Sequence, residues 1–301
     1  MNPLLNSNLQ QYRKSLNFNA KSWVDSKVKS LINYMTDSKL QGCVVGLSGG
    51  IDSAVTFCLA VKAMRTKNSP IKVVVPVLMP MDSHNSVTYK RALDMCNSMG
   101  ITPFYDSIGL QAVRMRESSG MQFSSWMHNE MDKKIDWKCS DFAYGQLQSY
   151  LRTPHLYFVT QLLNNQNIPS IVLGTGNADE DHYLGYFCKA GDGVVDVQLI
   201  NDLHKNQVYT VGKHIGVISD ILKAVPTADL WEGQSDEDEL GVTYDFVELY
   251  TGYYLNMNEN SQQYFIKSLD NTALQEFRHS ETICQKIHNQ NKHKLTGVIN
   301  L

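Results

Sequence analysis

The stretch Val44-Val45-Gly46-Leu47-Ser48-Gly49-Gly50-Ile51-Asp52-Ser53 constrains the chain more than any other. An apolar, β-branched run enters a turn with two adjacent glycines, and an apolar helical pattern leaves it at once, which is the opening of a βα unit. Glycines lack Cβ, so the backbone can take positive φ and bring its N–H groups close to an anion. Ser48 and Ser53 add hydroxyl donors, and the helix that begins near Asp52 contributes unpaired N–H groups and the positive end of its dipole. Gly46, Leu47, Ser48, Gly49, Gly50, Ile51, Asp52 and Ser53 together read as a cradle for a polyphosphate. A carboxylate such as Asp52 repels phosphate unless a divalent cation lies between them, and a hard ion such as Mg²⁺ is the natural bridge. No G-x-x-x-x-G-K-[ST] string occurs, so this is not a Walker A loop. The plain alternative is a glycine-rich turn with an incidental Ser and Asp.

The 301 residues, 43% hydrophobic and 19% charged, suffice for one sizeable α/β core with appendages. A formal net charge of −3 with scattered lysines and arginines disfavours a nucleic-acid partner. Residues 1–14 are polar, without the apolar core of a signal peptide, and no run reaches the roughly eighteen apolar residues of a membrane span. The expected location is therefore cytoplasmic. The six cysteines (Cys43, Cys58, Cys96, Cys139, Cys188, Cys284) are widely spaced with no C-x-x-C pair, which reads as reduced core thiols.

Apolar positions at helical spacing predict an amphipathic helix over 19–39, and a helix apolar on most sides over 54–64. Residues 71–79, rich in valine, predict a strand buried on both faces. A helix over 86–98, a short strand near 102–105, a long helix over 142–163 and a strand over 170–173 follow. This alternation predicts a doubly wound, mainly parallel α/β sheet of Rossmann-like type with a helical C-terminal extension. In such sheets ligands bind beyond the carboxyl ends of strands, where strand order reverses, and both glycine turns (46–53 and 174–177) fall there. Residues 107–139 show no clear period and read as an insertion or mobile loop. Residues 232–240 are acidic and read as a solvated segment or a lid. After Gly241 the pattern is helical to about residue 292, with an aromatic patch over 244–254 that reads as core. One domain is expected over 1–301: an N-terminal helical segment (1–40), an α/β core (41–230) and an acidic lid with C-terminal helices (231–301).

Three segments, LSGGIDS, GTGNADEDHYLGYFCKAGDGVVDVQLINDLHKNQV and PTADLWEGQSDEDELGVTYDFVELY, resemble NAD synthetases of the N-type ATP-pyrophosphatase (PP-loop) superfamily. The first motif alone would admit other members of the superfamily; the second and third resemble NAD synthetase only. The resemblance covers roughly residues 20–295. It implies a two-step amidation in which the carboxylate of deamido-NAD attacks the α-phosphorus of ATP, pyrophosphate leaves, and ammonia displaces AMP. It also implies Mg²⁺ held by Asp52 and Glu180, ATP contacts from Thr175, Lys205 and Thr227 beside the cradle, and catalytic roles for Asp52, Lys205 and Thr227. Deamido-NAD would meet Arg152, Lys189, Asp196, His293 and Lys294.

The chain departs from the family pattern in having four residues rather than three between Glu180 and the Gly-Tyr-Phe triplet, so Asp179 and Asp181 stand as alternative metal ligands. Tyr150 replaces one arginine of the family's segment around Arg152, and the prolines that normally follow the C-terminal His-Lys pair are missing. Glutamine-dependent members carry an amidase domain far longer than residues 1–40. Ammonia is thus the expected nitrogen donor, with a separate amidotransferase subunit as the route for glutamine, and a homodimer is the expected assembly. The rival readings are another adenylating enzyme, such as a tRNA thiolase or GMP synthetase, and a nucleotide-binding module without turnover.

Overall fold

The computed structural model describes residues 1–81, 86–131, 140–227 and 233–298. Two helices open the chain, α1 (Pro3–Ser15) and α2 (Ala20–Asp37), each started by an asparagine whose side chain accepts a backbone N–H of the first turn. The α/β layer follows as β1 (Gly42–Gly46), α3 (Ile51–Arg65), β2 (Val73–Leu78), α4 (Val87–Ser98), β3 (Phe104–Tyr105), α5 (Gly109–Met131), α6 (Asp141–Asn164), β4 (Ser170–Gly174), α7 (Ala178–Asp181), β5 (Val197–Gln198), α8 (Lys205–Ile215) and α9 (Ser219–Leu222). The chain ends in α10 (Asp236–Leu240), α11 (Tyr244–Val247), a π-helical turn (Glu248–Tyr254), α12 (Glu259–Ser268) and α13 (Asn271–Asn291).

The five strands lie in the order β3-β2-β1-β4-β5, every pair parallel, with Gly42 opposite both Val73 and Ser170. Strand order reverses between β1 and β4, so the turns after these two strands share one crevice, where the sequence places them. Alternation along β1 divides the packing. Cys43 and Val45 join the larger core under α2, α3 and α8, while Val44 meets Val77 and Val159 of α6 on the other face. A Cβ at Gly212 would come within 2.9 Å of Ile51, so α8 lies close along α3. That contact sets the last turn of α8 against the first turn of α3, and the side chain of Lys205, at the start of α8, reaches Asp52 in that same first turn of α3.

A second, aromatic core joins α1 to the C-terminal helices: Leu5 and Leu9 pack with Phe246, Tyr250, Tyr254, Phe265 and Phe277. The ring of Phe277 stands edge-on to Tyr254 at 4.9 Å and to Phe265 at 5.4 Å, the geometry that the aromatic quadrupole favours. The aromatic patch is thus core, as its composition suggests.

Four features differ from the sequence reading. Within the expected N-terminal helical segment, residues 3–15 form a helix of their own before the one predicted over 19–39, anchored by only two fully buried leucines, too few to mark a period. Residues 109–131, read as an aperiodic insertion or loop, are helical as α5. Its apolar residues Leu110, Met121, Phe123 and Trp126 are exposed rather than aligned on a core stripe, so periodicity gave no signal, although good helix formers fill the segment. Arg116 ties it to α6 by lying over the Tyr144 ring at 4.7 Å. The C-terminal helix is broken at Asn258 and Asp270, which cap α12 and α13. The two-residue strand β5 is too short to show a pattern. Five cysteines are free and buried, while Cys139 lies outside the described residues. Among the described residues no helix is long and apolar enough to cross a membrane.

Candidate active site

The turn after β1 is closed by its own side chains. Ser53 Oγ accepts the Ser48 N–H (3.2 Å) and donates to the Gly50 carbonyl (3.1 Å), and the two serine hydroxyls lie 3.0 Å apart. Ser48 Oγ also accepts the Gly50 N–H at 3.2 Å. Gly49 sits at φ +86°, and a Cβ there would fall 2.2 Å from the Thr88 carbonyl, so both conformation and space demand glycine. The turn lines a cavity of about 860 Å³ that reaches along the carboxyl ends of β1 and β4.

Beside it a buried charge cluster comes together. Lys205, 4% exposed, donates from Nζ to Asp52 Oδ2 (2.8 Å) and to Glu180 Oε1 (2.7 Å). Its ammonium also stands 4.7 Å over the Tyr244 ring. Asn177 caps α7 with its side-chain oxygen and donates from Nδ2 to Asp52 Oδ1 at 2.9 Å. Tyr244 donates its hydroxyl to Glu180 Oε1 (2.6 Å) and lies 3.0 Å from Asp236 Oδ2. Burial works against the Lys205 ammonium, but the charges of Asp52 and Glu180 outweigh it and hold the lysine protonated well above its ordinary range. Burial likewise raises Glu180, yet the Lys205 charge and the bonds from Lys205 and Tyr244 leave its carboxyl below the usual value. Burial and the Glu180 charge push Asp236 up to about 6.

Three consecutive carboxylates in α7 face three ways. Asp179 bonds His204 and the Lys205 backbone, Glu180 bonds Lys205 Nζ, and Asp181 accepts from Gln198 Nε2 at 3.0 Å. Of the three, Glu180 converges with Asp52 on one positive charge, and the lysine ammonium marks that point. Two carboxylates beside a phosphate cradle fit Mg²⁺, which keeps several waters and takes the rest of its ligands from phosphate oxygens. Among the described residues no group of three or more His, Cys, Asp or Glu forms an all-protein metal cage.

Thr175, Lys205, Thr227, Arg152 and Lys294 line the cavity together with the cradle. Lys189 donates to the His293 and Thr296 carbonyls (2.9 and 3.0 Å), and Lys294 to the Phe187 and Gly185 carbonyls (2.8 and 3.1 Å), so these two lysines clasp the C-terminal segment to the loop after α7. His293 directs its ring at the Gln290 carbonyl. Asp196 stands apart from the cavity: its oxygens accept the Val172 N–H (2.7 Å) and the Tyr157 hydroxyl (3.2 Å). The acidic segment approaches the site as α10, where Glu239 accepts from the Tyr186 hydroxyl at 2.7 Å. Trp231 and Glu232 lie outside the described residues. Sequence reasoning did not find Asn177, Tyr244 or Asp236; of these only Asn177, as a helix-capping type before Ala-Asp-Glu, carried a local signal.

The sequence profile of NAD synthase matches residues 23–297. The NH(3)-dependent NAD(+) synthetase of Sulfurisphaera tokodaii is 32% identical over 261 residues, 87% of this chain and 83% of that protein. The structure of NMN synthetase from Francisella tularensis superposes with a TM-score of 0.71 at 28% identity, covering 94% of this chain and 99% of that one. The NH3-dependent NAD synthetase from Campylobacter jejuni has a TM-score of 0.65 at 20% identity, covering 94% and 100%.

Proposed function

The chain belongs to the NAD synthase family, and we propose that it catalyses the ATP-dependent amidation of deamido-NAD by ammonia. The convergence of Asp52, Glu180 and Lys205 beside the Ser48–Ser53 turn carries this reading, because it assembles charge control at one edge of a phosphate cradle. A carboxylate is a poor electrophile. One of its oxygens attacks the α-phosphorus of ATP, the bond to the β-phosphate oxygen breaks, and pyrophosphate leaves with the electron pair. Ammonia in its uncharged form then attacks the acyl carbon, AMP departs with the former carboxylate oxygen, and a proton is released as the amide forms.

The chain's residues supply positioning and charge compensation. N–H groups and hydroxyls between Ser48 and Ser53 hold the β- and γ-phosphates. Lys205 carries a fixed positive charge toward the leaving pyrophosphate, and Thr175 and Thr227 line the same wall. Asp52 and Glu180 are the residues that would hold Mg²⁺, which when bound would supply further neutralisation of charge on the departing oxygens. Arg152 offers a cationic contact for the dinucleotide, and Lys294 lines the same cavity while its ammonium, like that of Lys189, ties the C-terminal segment to the loop after α7. Asp196 has a structural role beside β4.

The exposed apolar residues of α5 and α6, among them Leu110, Phe123, Trp126, Phe142 and Phe158, support a homodimer formed through that face. A monomer by light scattering at micromolar concentration would oppose it.

A mononucleotide substrate is the second reading. It is favoured by the structural likeness to the Francisella NMN synthetase, with a TM-score of 0.71 against 0.65 for the Campylobacter NAD synthetase. Incubation with ATP, Mg²⁺ and ammonium, with deamido-NAD and nicotinate mononucleotide in competition, decides between them. NAD as the main product supports the first reading, nicotinamide mononucleotide the second, and neither product with ATP still bound a module without turnover.

A further inference from the structure

Asp179 is 1% exposed and makes no contact that the amidation chemistry requires, yet it is bonded on both oxygens. Oδ2 accepts the backbone N–H of Lys205 at 2.7 Å, and Oδ1 meets His204 Nδ1 at 2.7 Å. Lys205 is the first residue of α8, and the remote carboxylate therefore stands where a helix N-terminus most favours negative charge. The neighbouring Glu180 holds the Lys205 ammonium, while the Ala178 N–H donates to the Leu203 carbonyl at 2.9 Å. Three consecutive residues of α7 thus grip the start of α8 at its preceding loop, its backbone and its charged tip.

His204 carries this grip to the aromatic core. A Cβ at Gly252, in the π-helical turn, would lie 2.7 Å from His204 Nε2 and 3.0 Å from the Tyr12 hydroxyl of α1. The ring is therefore confined between Asp179 on one side and the Gly252 backbone on the other. Neither Asp179, His204 nor Gly252 lines the cavity.

We propose that Asp179, braced by His204 against the π-helical turn at Gly252, is the positioning residue that sets Lys205 for the phosphates of ATP. The inference rests on the amidation reading for its assay and on the geometry alone for its content.

The test compares Asp179→Ala, Asp179→Asn and Gly252→Ala with the unaltered protein for kcat, KM for each substrate, and melting temperature. Misplacement of Lys205 by a fraction of an ångström to an ångström is expected to lower kcat by about ten- to a hundredfold in Asp179→Ala, with KM for deamido-NAD changed less than about twofold. Asparagine keeps an acceptor for the Lys205 N–H and a partner for the ring, so Asp179→Asn is expected to restore kcat to within about threefold. Gly252→Ala, remote from substrate, is expected to lower kcat several-fold by pushing the ring, at little change in melting temperature. If Asp179→Ala does not fold, the other two variants decide the question. Unchanged kcat in Asp179→Ala and Gly252→Ala would overturn the proposal. So would a fall in melting temperature matched by an equal rise in both KM values, without rescue by asparagine, since that is what a merely structural residue gives. Should the unaltered protein form no amide, the amidation reading fails on its own. The proposal is then read on ATP affinity, where about tenfold weakening by Asp179→Ala with recovery in Asp179→Asn supports it and equal affinities overturn it.

Discussion

The cradle and the charge cluster beside it are built in opposite ways. The side-chain bonds that close the turn of the cradle join residues at most five apart, from Ser48 to Ser53. The cluster draws Asp52, Asn177, Glu180, Lys205, Asp236 and Tyr244 from five separate stretches, and the Lys205–Asp52 pair spans 153 residues. A local turn carries its geometry in its own sequence. A buried cluster of opposed charges exists only while both cores hold their helices in register, and removing one partner leaves another charge buried alone.

That contrast is tested most severely at Asp52, which belongs to both structures. Asp52→Ala is expected to lower the rate of pyrophosphate release by about a thousandfold or more while the fold persists, because Lys205 keeps Glu180 as its partner. A variant that remains active with magnesium would break the comparison at its centre. Lys205→Met comes next and separates stability from chemistry. Measured by denaturant in the presence of a chelator, it is expected to cost about 3–5 kcal/mol, since two carboxylates are then left facing each other in a buried site. Magnesium is expected to recover more stability in this variant than in the unaltered protein, and equal responses would argue against the two carboxylates as its ligands.

Asp236 sharpens the comparison through pH. Its carboxyl is raised from 3.8 to about 6, first by burial and then by the Glu180 charge. A carboxyl raised in the folded state binds its proton more tightly there than in the unfolded chain. Its contribution is therefore fully present below about pH 4 and lost as pH rises through 6. Asp236→Asn, which cannot ionise, is expected to stabilise the protein at pH 7.5 by up to about 3 kcal/mol. The advantage should vanish in melting curves below about pH 4; a gain that is flat with pH would refute the assignment. The smallest effect belongs to the cradle. Ser53→Ala removes only local hydrogen bonds and is expected to cost about 1 kcal/mol in stability, while weakening ATP binding in calorimetry. A loss as large as that of Lys205→Met would show the turn to depend on distant packing after all.

The same contrast explains what could be read before the fold was known. The strand, the glycine turn and the helix that follows are adjacent in the chain, so residue type and order convey both their conformation and their affinity for phosphate. The sheet could be expected because valine-rich runs alternate with helical periods, and β1 through β4 appear where those patterns lie. Glu180 was legible as a carboxylate near the second glycine turn, but its choice over Asp179 and Asp181 depends on which way each side chain of α7 points. Tyr244 reads as one aromatic among many; that its hydroxyl reaches Glu180 is set by the aromatic core that fixes α11. Asp196 is matched by position alone, and the sequence carried no sign that its oxygens accept the Val172 N–H of β4 and the Tyr157 hydroxyl. Helix α5 escaped notice because its apolar side chains face outward, where no core imposes a period.

The central claim, that the cradle directs a carboxylate oxygen onto the α-phosphorus, is tested most directly by isotope transfer. Substrate labelled with ¹⁸O in the nicotinate carboxylate is turned over with ATP, Mg²⁺ and ammonium, and the released nucleotide is weighed by mass spectrometry. The account predicts AMP carrying one labelled oxygen, in equal amount to the amide formed. Unlabelled AMP, or ADP with the label in inorganic phosphate, would contradict it.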